Sequence, residues 1–175
     1  MYSLVDTSKI VGVTGAGILT GFGFGISAII IPAIFVTDLP ASKLIRVWNE
    51  IYERGAKFAV TIIMTSASAF FFAAYLQHDR PSLPLTILGV TEATHLALAG
   101  ATVLGGAVFT VVALVPGSIK LLKARLAAVE EARAKGLEAD IDKKGMTSDI
   151  KSWSMGNSAR AGIFAISFLL GMKAL

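Results

Sequence analysis

Two polar side chains inside a long apolar stretch come first. Glu92 and His95 are three residues apart within residues 85–115, a spacing that places them on one helix face. An ionised carboxylate at the centre of a bilayer costs about 2.5–3.5 kcal/mol, so the pair must face a protected interior or lie near a rim. In an interior it forms an acid–base unit, with His95 as the base and Glu92 orienting it. Alternatively the helix starts near Thr91, and Glu92 is a first-turn acid favoured by the helix dipole. Glu-x-x-His also serves di-iron carboxylate bundles, which need it twice together with two further glutamates. It occurs once in this chain, so no metal site is expected. The absence of cysteine excludes thiolate nucleophiles and disulfides.

Two further constellations carry aromatic and cationic groups. Arg46, Trp48, Tyr52 and Gly55 precede one apolar run, and Trp153, Asn157 and Arg160 open another. Within each set the spacing of three or four stacks the side chains on one helix face. Such residues serve equally as interfacial anchors, because Trp and Tyr populate bilayer boundaries and Arg snorkels there. As a binding site they would offer aromatic walls for a planar ligand, with Arg160 or Arg46 holding an anion. His78, beside Asp79, reads as a solvated loop histidine.

The elements that must position these groups are membrane helices. Of the 175 residues, 54% are hydrophobic and 16% charged, well below the quarter usual for soluble domains, and mean hydropathy is +0.71. Four stretches, about 10–35, 56–76, 85–115 and 153–175, approach the roughly 20 apolar residues needed to cross the hydrocarbon core. They are continuous rather than alternating, which selects helices over a barrel. The expected fold is all-α: one domain, a four-transmembrane-helix bundle with a basic cytosolic loop between helices 3 and 4. The first run is too long for the apolar core of a signal peptide.

Charge placement gives the orientation. Residues 37–57 and 116–160 together hold 13 of the 16 Lys and Arg, leaving Lys9, Arg80 and Lys173 on the opposite side. Positive residues stay cytosolic, so both termini are expected outside or in a lumen, in an endomembrane. Residues 119–135 read as an amphipathic helix continuing past a kink at Pro116, with Gly136 as its stop. Residues 137–148 read as polar and mobile, with Thr147 or Ser148 capping the last helix. Gly17, Gly21 and Gly25 form a smooth stripe for close helix approach, either inside the bundle or in a homo-oligomer.

The pattern Trp48-x3-Tyr52-x2-Gly55 before one span and Trp153-x3-Asn157-x2-Arg160 opening the last, with Pro32 near the end of helix 1 and Pro116 ending helix 3, resembles the anthrone oxygenase-like family of small, mainly fungal membrane proteins. The chain departs from that pattern at Gly117 and Ser118, where Pro-Thr-Asn is usual, and near Ala59, where a proline is usual. The resemblance implies an oxygenase (a monooxygenase of secondary metabolite biosynthesis) converting an anthrone-type aromatic polyketide to the anthraquinone with no cofactor. Its partners would be an apolar small molecule, O2 and the lipid bilayer, with no nucleic acid. Asn157 and Arg160 would stabilise the enolate, and Trp48, Tyr52 and Trp153 would form the walls. Should His95 and the aromatic clusters not share a pocket, the clusters are the preferred site. The alternative is a non-enzymatic tetraspanning scaffold, chaperone or small carrier, working through the glycine stripe and the basic loop.

Overall fold

The computed structural model describes residues 3–78, 90–137 and 142–175. Four long helices account for nearly all of them: α1 (Leu4–Val36), α2 (Ala41–Gln77), α3 (Glu92–Ala134) and α4 (Lys143–Lys173). Among the described residues there is no strand. α1 and α3 each pack between α2 and α4, so α1 and α3 occupy one diagonal of the bundle and α2 and α4 the other.

Local chemistry sets the helix ends. Ser3 and Asp6 form a reciprocal capping box at the start of α1. The Thr91 hydroxyl accepts from the Thr94 amide at 3.3 Å, so α3 starts at Glu92, which occupies its first turn. That is the dipole-favoured placement rather than a mid-span one. Asp142, not Thr147 or Ser148, caps α4 by accepting from the Lys144 and Gly145 amides at 2.9 and 3.0 Å. Residues 143–148 are therefore helical rather than mobile; Asp79, Arg80 and residues 138–141 lie outside the described residues. Gly136, at φ +69°, ends α3 in the left-handed conformation.

Pro32 follows one widened turn and Pro116 lies within another. Ile26–Ile30 in α1 and Thr110–Ile119 in α3 adopt the wider i→i+5 hydrogen-bonding pattern. The wider turn absorbs the ring and the missing N–H of a proline, so α3 runs on through Pro116 and α1 through Pro32.

α1, α2 and α3 are each long and apolar enough to cross a membrane. α4 is not by composition, since its first half is polar. Large apolar side chains such as Ile29, Val60, Met64, Val111, Val112 and Leu169 face outward. An exposed apolar surface of this extent, on helices of this length, is consistent with a protein that sits in a membrane. Inside, Ala16, Leu19, Ala67, Phe70, Leu96 and Phe164 belong to one core. Ile45, Trp48, Leu122, Val129, Met146 and Trp153 belong to a second core at the basic end.

The basic segment is thus not a loose loop. Residues 120–134 of α3 and the first turns of α4 fold onto the N-terminal part of α2 as a helical cap. Ion pairs of Arg46 with Glu130 (2.8 Å), Arg125 with Asp149 (2.6 Å) and Lys143 with Asp38 (2.8 Å) tie it down. The hydrogen bond and charge of Lys143 hold the exposed Asp38 carboxyl below its usual range.

Helix contacts inside the bundle use small residues and hydroxyls. Ser66 donates to the Gly12 carbonyl at 2.6 Å and Ser167 to that of Ala99 at 2.7 Å. A Cβ on Gly12, Gly15 or Gly23 would lie within 2.9 Å of a neighbouring side chain. In the glycine stripe, only Gly17 meets a neighbour, Phe168, whereas Gly21 and Gly25 meet nothing within 4 Å. The close approaches therefore fall one helical face away from that stripe.

Candidate active site

The two aromatic constellations meet in space. The Trp48 and Tyr52 rings stack with centroids 5.5 Å apart and planes at 11°, and Trp153 meets Trp48 edge-on at 5.7 Å and 89°. The i,i+4 spacing on α2 produces the stack, and α4, across the diagonal of the bundle, delivers Trp153. Beside them lies a narrow cavity, little more than water-sized in its enclosed part. Its walls are Phe22 and Ile26 of α1, Ile51, Tyr52, Gly55 and Ala56 of α2, Leu114 and Ile119 of α3, and Trp153, Asn157 and Arg160 of α4. Trp48 is fully buried and does not line it; it braces Tyr52 and Trp153 from behind.

Arg160 is the cation of this cavity. One terminal nitrogen donates to the Thr110 hydroxyl at 3.3 Å and the other to Asn157 Oδ1, while Nε is buried with no partner among the described residues. Asn157, itself fully buried, donates through Nδ2 to the Gly23 carbonyl at 2.9 Å and to Ser27 Oγ at 2.8 Å. Ser27 in turn donates to the Ser154 carbonyl at 3.0 Å. Both amide hydrogens and the oxygen of Asn157 are thus committed. Asn157 aims Arg160 rather than reaching a ligand itself.

The two widened turns flank this one cavity: Ile26 and Ser27 belong to the first, and Thr110, Leu114 and Ile119 to the second. Widened turns of this kind recur at functional sites, because they redirect side chains that a regular helix would aim elsewhere. On the cap side, the Lys123 ammonium lies 5.1 Å from the Tyr52 ring centroid. Asn49 Oδ1 at 2.7 Å and the Glu53 carboxylate hold it there.

The remaining expected site residues lie elsewhere. Arg46 does not line the cavity; it approaches Glu130 of the cap at 2.8 Å, as an ion pair without hydrogen-bond alignment. His95 is 15 residues before Thr110 on α3, about 22 Å along the helix axis. Glu92 does not orient it. Glu92 forms an ion pair with the buried Lys9 and accepts from Gln77 Nε2 at 3.0 Å. His95 is buried, and its Nδ1 has no partner among the described residues.

The profile of the anthrone oxygenase family matches residues 48–170, a span that begins at Trp48 and contains Tyr52, Trp153, Asn157 and Arg160. The chain belongs to the anthrone oxygenase family. An anthrone oxygenase of Aspergillus fumigatus, encC, is 30% identical over 135 residues, covering 75% of this chain and 68% of the relative. No solved structure matches the chain. The chain is accordingly an oxygenase, and the matched span holds Tyr52, Trp153 and Arg160 of the cavity, while its α1 walls, Phe22 and Ile26, precede that span.

Sequence reasoning missed Thr110, Ser27 and Lys123. Thr110 and Ser27 are hydroxyls inside apolar runs, which is a weak signal because such hydroxyls can bond their own helix, as Thr110 also does to the Gly106 carbonyl at 2.9 Å. Lys123 was one of many lysines in the basic segment, and only the folded cap singles it out.

Proposed function

We propose that this oxygenase converts an anthrone-type aromatic polyketide to its anthraquinone without a cofactor, within the cavity between Tyr52, Trp153 and Arg160. The observation that carries the reading is Arg160. Its guanidinium is fixed by Thr110 and Asn157, and Arg160 lines a space whose other walls, Asn157 apart, are apolar and aromatic side chains.

The methylene of an anthrone is acidic because its carbanion is an aromatic, phenolate-like anion. That anion is electron-rich enough to pass an electron to O2 directly. The protein must supply an apolar pocket that admits O2 and a cation where negative charge collects on oxygen. A fixed donor in a water-poor site is worth far more there than in water. Planar rings find faces and edges to pack on at Tyr52 and Trp153.

Access fits a lipid-soluble substrate. An apolar groove of about 660 Å³ lies between α1 and α2, and it shares Phe22, Ile26, Ile51 and Gly55 with the cavity. The Phe22 and Phe58 rings meet there with centroids 4.9 Å apart. On this reading the substrate enters laterally from the bilayer. On the same reading, which the charge bias supports, the cap faces the cytosol, α4 completes the bundle within the membrane and both termini are lumenal.

The test is to incubate membranes containing the protein with emodin anthrone under air and follow quinone absorbance and O2 uptake. The expected result is quinone formation above empty membranes, with equal amounts of O2 consumed and quinone formed, in chelator-treated and extensively washed membranes. A rate equal to empty membranes overturns the proposal.

A further inference from the structure

Removing a methylene proton requires a base, and the cavity walls contain neither carboxylate nor imidazole. His95 is too far along α3 to reach a ligand held by Arg160. A guanidinium does not give up its proton in a protein. One lining group remains that can lose and regain a proton, the phenol of Tyr52. Tyrosine is among the side chains that act as general acids and bases.

The surroundings of Tyr52 suit that task. Trp48 stacks on its ring and fixes the plane. Arg160 lines the same cavity. Lys123 lies over the ring from α3, itself paired with Glu53 of α2. The α1 side, Phe22 and Ile26, is apolar. Phenolate at this position has cations from two helices beside it. Lys123 and Glu53 are partly exposed, so the Lys123 side of the ring adjoins a polar face where a proton can leave.

We propose that Tyr52 is the proton-transfer residue of the oxygenation, in addition to forming a wall of the cavity. The proposal rests on the reading of the cavity given above. The phenolate takes a proton from the substrate methylene, leaving a carbanion delocalised onto the ring oxygen that faces Arg160. The carbanion passes its electrons to O2 and forms a C–O bond, and the peroxy anion regains a proton from the Tyr52 phenol. The phenolate then takes the second proton from the same carbon while the O–O bond breaks. Hydroxide leaves, a carbonyl forms, and hydroxide collects the phenol proton as water. Carbon loses four electrons and O2 gains four, with one oxygen atom in the quinone and the other in water. Tyr52 ends as it began.

The test compares wild type, Tyr52→Phe and a variant with fluorinated tyrosine placed only at position 52, using emodin anthrone across the range that ionises a phenol, about pH 7–11. Phenylalanine keeps the stack on Trp48 and the ring beneath Lys123. The expected result for Tyr52→Phe is a loss of at least about 100-fold in kcat, with KM within about threefold and no phenol limb in the pH profile. Fluorination, which makes the phenol more acidic, moves that limb to lower pH with the fold intact, so the proposal stays testable even if Tyr52→Phe folds poorly. A Tyr52→Phe enzyme with wild-type kcat and pH profile, or a limb that fluorination leaves in place, overturns the proposal and shows that the substrate arrives already ionised. An inactive wild type would instead count against the oxygenation of an anthrone in this cavity.

Discussion

Replacing Arg160 with alanine removes the one cation of the cavity, and the structure sets the size of the effect. A fixed donor aimed at a developing oxyanion is worth about 10²–10³ in kcat, or about 3–4 kcal/mol. The folding cost is smaller. Asn157 Oδ1 loses its donor in a fully buried position, a cost of about 1–3 kcal/mol. Relief from burying most of a guanidinium opposes it, leaving a net destabilisation of about 1 kcal/mol and a Tm drop of about 2–4 °C. Arg160→Lys keeps a charge but cannot bond Thr110 and Asn157 together, because an ammonium lacks the planar fork. It should restore about tenfold of the lost rate. Asn157→Ala should lower kcat less than Arg160→Ala, and the double variant should add almost nothing, since Asn157 acts through Arg160. The assay is quinone formation from emodin anthrone per folded protein, with Tm read in the same detergent. Wild-type turnover in Arg160→Ala, or fully additive losses in the double variant, would refute the argument.

Gly23→Leu should destabilise the protein by about 1–3 kcal/mol, because a Cβ there falls 2.8 Å from that of Ala161 beside the Asn157 acceptor. Gly21→Leu, with nothing within 4 Å, should leave Tm unchanged; thermal unfolding in detergent distinguishes the two. Glu92→Gln leaves the buried Lys9 without its counter-charge and should cost about 3 kcal/mol, while turnover per folded molecule in Glu92→Gln and in His95→Ala stays within about threefold of wild type. Gly55→Leu fills the wall shared by the groove and the cavity. It should raise KM for a tricyclic anthrone by about tenfold with little change in Tm, read from initial rates against substrate concentration.

Much of this architecture was legible because membrane helices announce themselves through uninterrupted apolar length. The three apolar helices, the Gly136 stop and the helical extension beyond Pro116 follow from hydropathy and helix chemistry. So does the pairing of Trp48 with Tyr52, which is one helical turn. What could not be read was the relation between distant turns. That Trp153 meets Trp48 edge-on, and that Asn157 reaches Gly23 and Ser27, depend on how four helices rotate about their axes. The bilayer leaves that rotation to close packing at small residues such as Gly12 and Gly23. At His95 and Glu92 the sequence left two readings open, and the first-turn one holds. Their types and spacing suited catalysis, yet Thr91 starts the helix at Glu92, and Lys9 and Gln77 claim the carboxylate. Residues 143–148 looked mobile because they are polar; the Asp142 cap makes them the first turns of α4, and the pair of Lys143 with Asp38 ties them down.

The most direct test of the central claim, that the Tyr52–Trp153–Arg160 cavity is where an anthrone meets O2, is oxygen-18 labelling of the quinone formed by membranes carrying wild type or Arg160→Ala. Wild type should place a single oxygen atom from labelled O2 in the new carbonyl, at a rate well above empty membranes, and Arg160→Ala should lose that excess. Quinone formation at the same rate with and without the protein, or equal labelled product from both forms of the enzyme, would contradict it.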